Sequence, residues 1–214
     1  NSEIMKSSED QFWAREVLNG GYILFFRHAE RGKFYDVKLY DAIEVGSFKY
    51  SEGENERRFA ENDYFKQAVC LNSKGEIQAQ AMSEIIKLSK LPVGNIISSP
   101  SCRARQTAEL VFGKYDNLNK GLMFGGLFME SEVERRKFLK DYLLNLSVKE
   151  GTNTIITAHN SVLNGDFFGL RDSDLKVGEG GFFIISNKDN KLELKHAFPE
   201  FSRFAKIFFT RKFN

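Results

Sequence analysis

Short apolar segments rich in β-branched and aromatic residues recur along this chain, each running straight into polar residues. YILFF (22–26) leads into Arg27-His28, NIISS (95–99) into Pro100 to Arg103, and TIITA (154–158) into His159. Helical patterns separate these segments. Strands that alternate with helices predict a mainly parallel sheet with helices on both faces. In such sheets ligands collect at the carboxyl ends of the strands, and here all of those ends carry residues suited to an anion.

The remaining elements follow from periodicity and punctuation. EDQFWAREVLNG (9–20) reads as a helix with Phe12, Val17 and Trp13 on its apolar face, ended by Gly20-Gly21. SKGE (73–76) fits a capping box with Ser73 as the cap, and a stripe of Ile77, Ala81, Ile85 and Leu88 continues to a stop at Pro92. RARQTAELVFG (103–113) presents Ala104, Ala108 and Val111 on one side, and Gly113 ends it. A loop over 114–129 precedes a helix capped by Ser131 and Glu134, carrying Val133, Phe138, Leu139, Tyr142, Leu143 and Leu146. GFFIIS (181–186) and KLELKHAF (191–198) make a hairpin across KDN. Phe201, Phe204, Ile207 and Phe208 form a terminal helix or packing segment. The expected fold is a three-layer αβα sandwich, with the hairpin as an antiparallel edge to a mainly parallel sheet.

The polar stretch 32–69 shows no sustained periodicity and reads as an excursion over the end of the first strand, a position suited to a lid or binding loop. The chain is then one domain, 1–214, with an insertion at about 32–69. Its 31 basic and 29 acidic residues leave a net charge of +2, no basis for nucleic-acid binding, so an anion site must be local. No run of about 18 apolar residues is present to suggest a membrane span. The sequence starts at Asn1, as it would after removal of a signal peptide, a lipid-anchor segment or a tag.

With only three histidines in the chain, His28 between Arg27 and Arg31 is the residue to explain. Guanidinium groups at Arg27, Arg31 and Arg103 can neutralise a phosphomonoester dianion bidentately. A neutral imidazole is a competent nucleophile toward phosphorus, provided its other nitrogen is held by an acceptor such as a backbone carbonyl. Neighbouring arginines lower its pKa and keep it unprotonated. A second histidine opposite, His159, can donate to the transferring oxygens, and the start of helix 103–113 aims free amides the same way. Arg103 opposes the macrodipole at that helix start unless an anion is present. Taken singly, Arg27-His28 is equally a surface ion-pair site and His159 a core histidine; His196, inside the hairpin, reads as structural or exposed. There is no HExxH, cysteine pair at ligand spacing, Walker loop, GxGxxG or GxSxG.

FFRHAER (25–31), LNSKGEIQAQAM (71–82), IISSPSCRARQTAELVFG (96–113) and IITAHNSVL (155–163) together resemble the histidine phosphatase superfamily, also called phosphoglycerate mutase-like, over roughly residues 20–190. Within it the chain is most similar to small exported bacterial members with an RHAER motif, including those like lipopolysaccharide core heptose phosphate phosphatases. The resemblance implies a phosphomonoester hydrolase, with His28 forming a phosphohistidine that water hydrolyses. Arg27 and Arg103 would bind the phosphoryl group, Arg31 would match the additional arginine of phytase-like members, and His159 would complete the pocket. No metal or organic cofactor is implied. The expected ligands are a small phosphomonoester such as a sugar phosphate, and inorganic phosphate or another oxyanion.

The chain departs from the family pattern in places. Ala29 replaces a glycine, Asn160 stands where phytase-like members carry an acid, and NLNKGLMFGG (117–126) lacks the carboxylate of the mutase-like branch. Glu30, Glu130, Glu132, Asp166 and Glu179 are candidates for the general acid, with Glu179 in VGEGG ranked first. The missing carboxylate keeps open a non-catalytic phosphate or phosphosugar binding protein on the same fold, and makes a mutase a poorer match. Lys33, Lys38, Lys49, Arg57 and Arg58 in the excursion suit a multiply anionic substrate or simply face solvent. Cys70 and Cys102 lie in segments that should both approach the site. The exported relatives favour a disulfide between them, worth roughly 3–4 kcal/mol in the chain-entropy model, and with it the periplasm or another oxidising compartment. Two free thiols in the cytoplasm are the alternative.

Overall fold

Inward-facing side chains alternate along the central strands, so the sheet must be covered on both sides. In the computed structural model, which describes residues 2–34, 37–47, 67–126 and 131–209, Leu24 and Phe26 face one core and Ile23 and Phe25 the other. The elements in chain order are α1 (Ser2–Glu16), β1 (Ile23–Arg27), α2 (Val37–Ser47), α3 (Ser73–Ser89), β2 (Val93–Ser98), α4 (Cys102–Phe112), β3 (Asn117–Leu118), α5 (Glu132–Leu144), β4 (Asn153–Ala158), β5 (Phe182–Ser186), β6 (Glu193–Phe198) and α6 (Phe201–Phe209), with short 3-10 turns between them. The six-stranded sheet runs β3-β2-β4-β1-β5-β6. β3, β2, β4 and β1 are mutually parallel, and β5 and β6 are antiparallel. The expected mixed α/β sandwich with an antiparallel edge is the fold observed.

One face packs against α1, α3, α4 and α6, with Ala79, Met82, Ala108, Phe182, Phe198 and Phe204 at its centre. Stacked and edge-on rings of Phe26, Phe182, Phe198 and Phe204 account for part of the high phenylalanine content. The other face packs against α5 and the turns after β4, through Leu139, Leu143, Val162 and Phe167.

Several local expectations need correction. Asn72, not Ser73, caps α3, its side chain accepting from the Gly75 amide at 2.8 Å. The buried face of α3 is Ala79, Met82 and Ile86 with Ile85, whereas Ile77 is 66% exposed and Leu88 40%. At the start of this face only glycine fits, because a Cβ at Gly75 would lie 1.9 Å from the Glu30 carbonyl oxygen. On α1, Phe12 is 57% exposed, and Ala14 with Val17 fills the core instead. On α5, Val133 is exposed while Leu139 and Leu143 are buried. The excursion 32–69 is not all irregular, since α2 occupies 37–47. Lys49, Arg57, Arg58 and Glu130 lie outside the described residues.

No described helix is long and apolar enough to cross a membrane.

Candidate active site

The pairing of β1 with β4 places the two principal histidines side by side. Arg27 and Ala158 are register partners, so His28 and His159 are the next residues on adjacent strands. The ladder continues into the site, where the His28 amide donates to the Ala158 carbonyl at 3.0 Å. The two rings sit 5.2 Å apart, edge to face, and both are buried.

The His28 ring is oriented by its own backbone. Its Nδ1 lies 2.7 Å from the Ala29 carbonyl oxygen, which can only accept, so Nδ1 carries the proton and Nε2 keeps its lone pair. Burial, then the Arg103 charge, pushes the imidazole well below its ordinary value, with Arg27 and Arg31 acting in the same direction. His159 is depressed by burial first and Arg103 second. Its Nε2 lies 3.3 Å from both the Ser99 and the Ser101 hydroxyls, while Nδ1 is buried without a hydrogen-bond partner. Ser99 directs its hydroxyl to the Met123 sulfur, so both tautomers of His159 fit these contacts: with the proton on Nδ1, Nε2 accepts from Ser101, and with it on Nε2, the ring donates to the Ser99 oxygen.

The arginines reach this pair from different elements. Arg27 ends β1, donating to the Val177 carbonyl at 3.0 Å and facing Glu179 at 3.5 Å. Arg31 donates to the Gly32 carbonyl at 2.7 Å, and its charge is felt at both histidines and at Glu179. Arg103, in the first turn of α4, is buried, and its Nε has no partner among the described residues. Its other end is held by Asp41 of α2, with Nη1 to Oδ1 at 2.7 Å and Nη2 to Oδ2 at 2.8 Å. Nη1 also approaches the Val69 carbonyl at 3.3 Å. Val69 belongs to the segment that a Cys70–Cys102 disulfide ties to the start of α4.

Glu179 is brought to the same place by the turn entering β5. Gly180 adopts φ +80°, and its amide donates to the carbonyls of Arg27 and His28 at 3.2 and 3.0 Å. Gln78 of α3 clamps this turn, donating to the Glu179 carbonyl and accepting from the Glu30 amide. Burial raises the Glu179 carboxyl above the usual range, opposed by Arg27 and Arg31.

Arg27, Arg31, His28, Arg103, His159 and Glu179 are therefore gathered in one locality. Of the other described acid candidates, Glu30 lies near enough to push Glu179 up, while Glu132 and Asp166 are engaged with arginines of α5. Glu132 is bound to Arg135 and Arg136 and pushed down to about 2, chiefly by its hydrogen bond to Arg135. Asp166 is exposed beside Arg136, and Glu30 accepts from Asn72. His196 is structural, bonded to Asp10 at 2.8 Å.

Two contributors were not singled out from the sequence. Thr107 ties the loop to α4, accepting from the Ala29 amide at 2.9 Å and donating to the Arg103 carbonyl at 2.7 Å. Asp41 stands among the cations of the excursion, and the acidic pair of Asp41 and Glu44, at helical spacing in DAIE, is the signal the sequence offers for it. Beside the site a cleft of about 780 Å³ is lined by Arg27, Asn160, Arg136, Lys38, Lys176 and Gly178, among others. Among the described residues, no group of three or more His, Cys, Asp or Glu side chains is arranged to hold a metal ion.

Comparison with known proteins agrees with this architecture. The model of the histidine phosphatase superfamily (branch 1) matches residues 53–119. Among solved structures, the protein histidine phosphatase SixA complexed with tungstate superposes with a TM-score of 0.51 at 12% identity, covering 83% of this chain and 97% of that one. A phosphoserine phosphatase mutant from Entamoeba histolytica in complex with phosphoserine gives 0.50 at 14% identity, covering 82% and 95%. The same organism's phosphoserine phosphatase bound to 3-phosphoglyceric acid gives 0.50 at 15%, with the same coverage. No curated protein matches the chain significantly.

Proposed function

We propose that this protein is a metal-independent phosphomonoester hydrolase that acts through a phosphohistidine on His28. The observation that carries this is the state of the His28 ring. Its Nδ1 is bonded to the Ala29 carbonyl, burial and Arg103 keep the ring from taking a second proton, and Nε2 keeps its lone pair in the field of Arg103, Arg27 and Arg31. Buried polar groups normally have partners, so the unpartnered Arg103 Nε and His159 Nδ1 beside it suit the oxygens of an anionic ligand.

In the first step the Nε2 lone pair of His28 attacks phosphorus and the ester P–O bond breaks. Arg27, Arg31 and Arg103 neutralise the phosphoryl oxygens, and the His159 Nδ1–H donates to one of them as charge shifts. Glu179, raised by burial, gives its proton to the departing alkoxide. In the second step Glu179 takes a proton from water, which attacks the phosphohistidine and frees inorganic phosphate and His28.

The cleft that shares Arg27 with the site is the place for the alcohol portion. Its polar, mixed-charge lining suits a sugar phosphate better than an apolar ester. The tungstate and phosphoserine bound by proteins of the same fold are ligands of the chemical type proposed here. The Cys70–Cys102 bridge is what a protein working in the periplasm or another oxidising compartment would carry.

The test is hydrolysis of a panel from p-nitrophenyl phosphate to sugar phosphates, with EDTA present, by wild type and His28→Ala. Turnover in the wild type, its loss in the variant, and a phosphohistidine trapped from labelled substrate are expected. EDTA-sensitive turnover would overturn the reading. Phosphate binding without turnover would leave the binding-protein alternative.

A further inference from the structure

An arginine that grips a phosphoryl group needs its fork aimed, and Arg103 is already gripping something else. Its end-on fork, Nη1 and Nη2, is engaged with both oxygens of Asp41 at 2.7 and 2.8 Å. The Val69 carbonyl takes the second Nη1 hydrogen. Of the five guanidinium N–H groups, two remain among the described residues, Nε–H and the second hydrogen on Nη2. Those two lie parallel along the other edge of the plane, and form a second bidentate fork. The Asp41 carboxylate is itself fully buried, a costly placement unless it is paired and fixed.

We propose that Asp41, contributed by the excursion, is a positioning residue for phosphoryl binding: it holds the end-on fork of Arg103 so that the side-on fork, Nε–H with Nη2–H, faces the phosphoryl oxygens. This rests on reading the site as a phosphoryl pocket. The Arg103 charge is the largest charged influence on both His28 and His159, which places the guanidinium beside the reacting centre. With both its oxygens taken, Asp41 is not a proton donor. The same helix is anchored a second time, since Glu44, one turn on, is bonded to Arg105 of α4. Removing the Asp41 charge therefore leaves α2 a docking contact of its own.

The opposite role makes an opposite forecast. Were Asp41 a built-in competitor occupying the phosphate site, removing its charge would tighten anion binding, because a negative group near the anion would be gone. As a positioning residue, its loss weakens binding, because the guanidinium is free to turn. Asp41→Asn keeps the shape but sets an amide N–H₂ against one Nη–H₂, and Asp41→Glu keeps the charge on a longer stem. The experiment measures inorganic phosphate affinity by calorimetry and inhibition by orthovanadate for wild type and both variants, with steady-state kinetics alongside.

Asp41→Asn is expected to weaken phosphate and vanadate roughly 10- to 100-fold, the range of a charge-assisted hydrogen bond, mainly through KM. Asp41→Glu is expected to recover part of that loss. Unchanged or tighter anion binding in Asp41→Asn overturns the proposal while leaving the phosphoryl pocket intact. Should Asp41→Asn not fold, wild-type affinity in Asp41→Glu would overturn it equally, since the longer stem cannot hold the same fork. Failure of the wild type to bind phosphate or vanadate overturns the underlying site reading, a separate result.

Discussion

Glu179 faces two arginines and still lies above the ordinary carboxylate range, because burial outweighs their attraction. A carboxyl in that state holds its proton to a higher pH than a surface acid, the property a proton donor needs. Glu179→Gln should therefore cut turnover of alkyl phosphomonoesters by roughly 10²–10⁴-fold. It should spare p-nitrophenyl phosphate, whose leaving group needs little proton help. The alkaline limb of the pH–rate profile for alkyl esters should vanish with it. Equal losses on both substrate classes would remove Glu179 from that role. His28, His159 and Arg27 were legible because each ends or directly follows a strand, where the sheet leaves no freedom of address. Asp41 was not, because its partner Arg103 lies 62 residues away and a carboxylate in an acidic-basic stretch looks like any solvated charge.

At the level of elements, the five longer strands were readable from apolar runs and so was the inward face of α4, Ala104, Ala108 and Val111, whereas short β3 and the phase of α3 were not. On α3 the large apolar Ile77 points to solvent, and Gly75 faces the packed side, because the loop around Glu30 comes too close for a side chain there. Hydrophobicity alone ranks Ile77 inward; the close backbone approach at Gly75 sets the first turn instead, and Met82, Ile85 and Ile86 fill the core further along. The Cys70–Cys102 bridge acts between elements too, joining the segment after the excursion to the first turn of α4 across 32 positions of sequence. Replacing both cysteines by serine should lower the unfolding free energy by roughly 3–4 kcal/mol in urea titrations. It should also raise KM for phosphate esters, because Val69, next to the bridge, supports Arg103. An unchanged urea midpoint would mean that packing around Ala68 and Val69 alone holds the segment.

For the whole molecule, two neutral histidines in a buried, arginine-lined site make stability depend on pH. His28 and His159 both have folded values well below the ordinary 6.5. Between the folded and unfolded values the unfolded chain binds more protons, so stability rises with pH through that window and levels off above it. Urea midpoints should fall as the pH is lowered from about 7.5 to about 5, and fall less steeply in His159→Gln. Identical slopes in the two proteins would show that His159 does not contribute. The mainly parallel sheet and its antiparallel edge were expected from the rhythm of the sequence, because strands that alternate with helices return to parallel neighbours; the strand order was not read from it. A different consequence lies in the β1–β4 register. With His28 and His159 directly following paired strand ends, the spacing of their backbones is set by the hydrogen-bonded ladder. That spacing is a dimension of the sheet, and the excursion can be redesigned or exchanged, so long as an acid still meets Arg103, without it having to be found again.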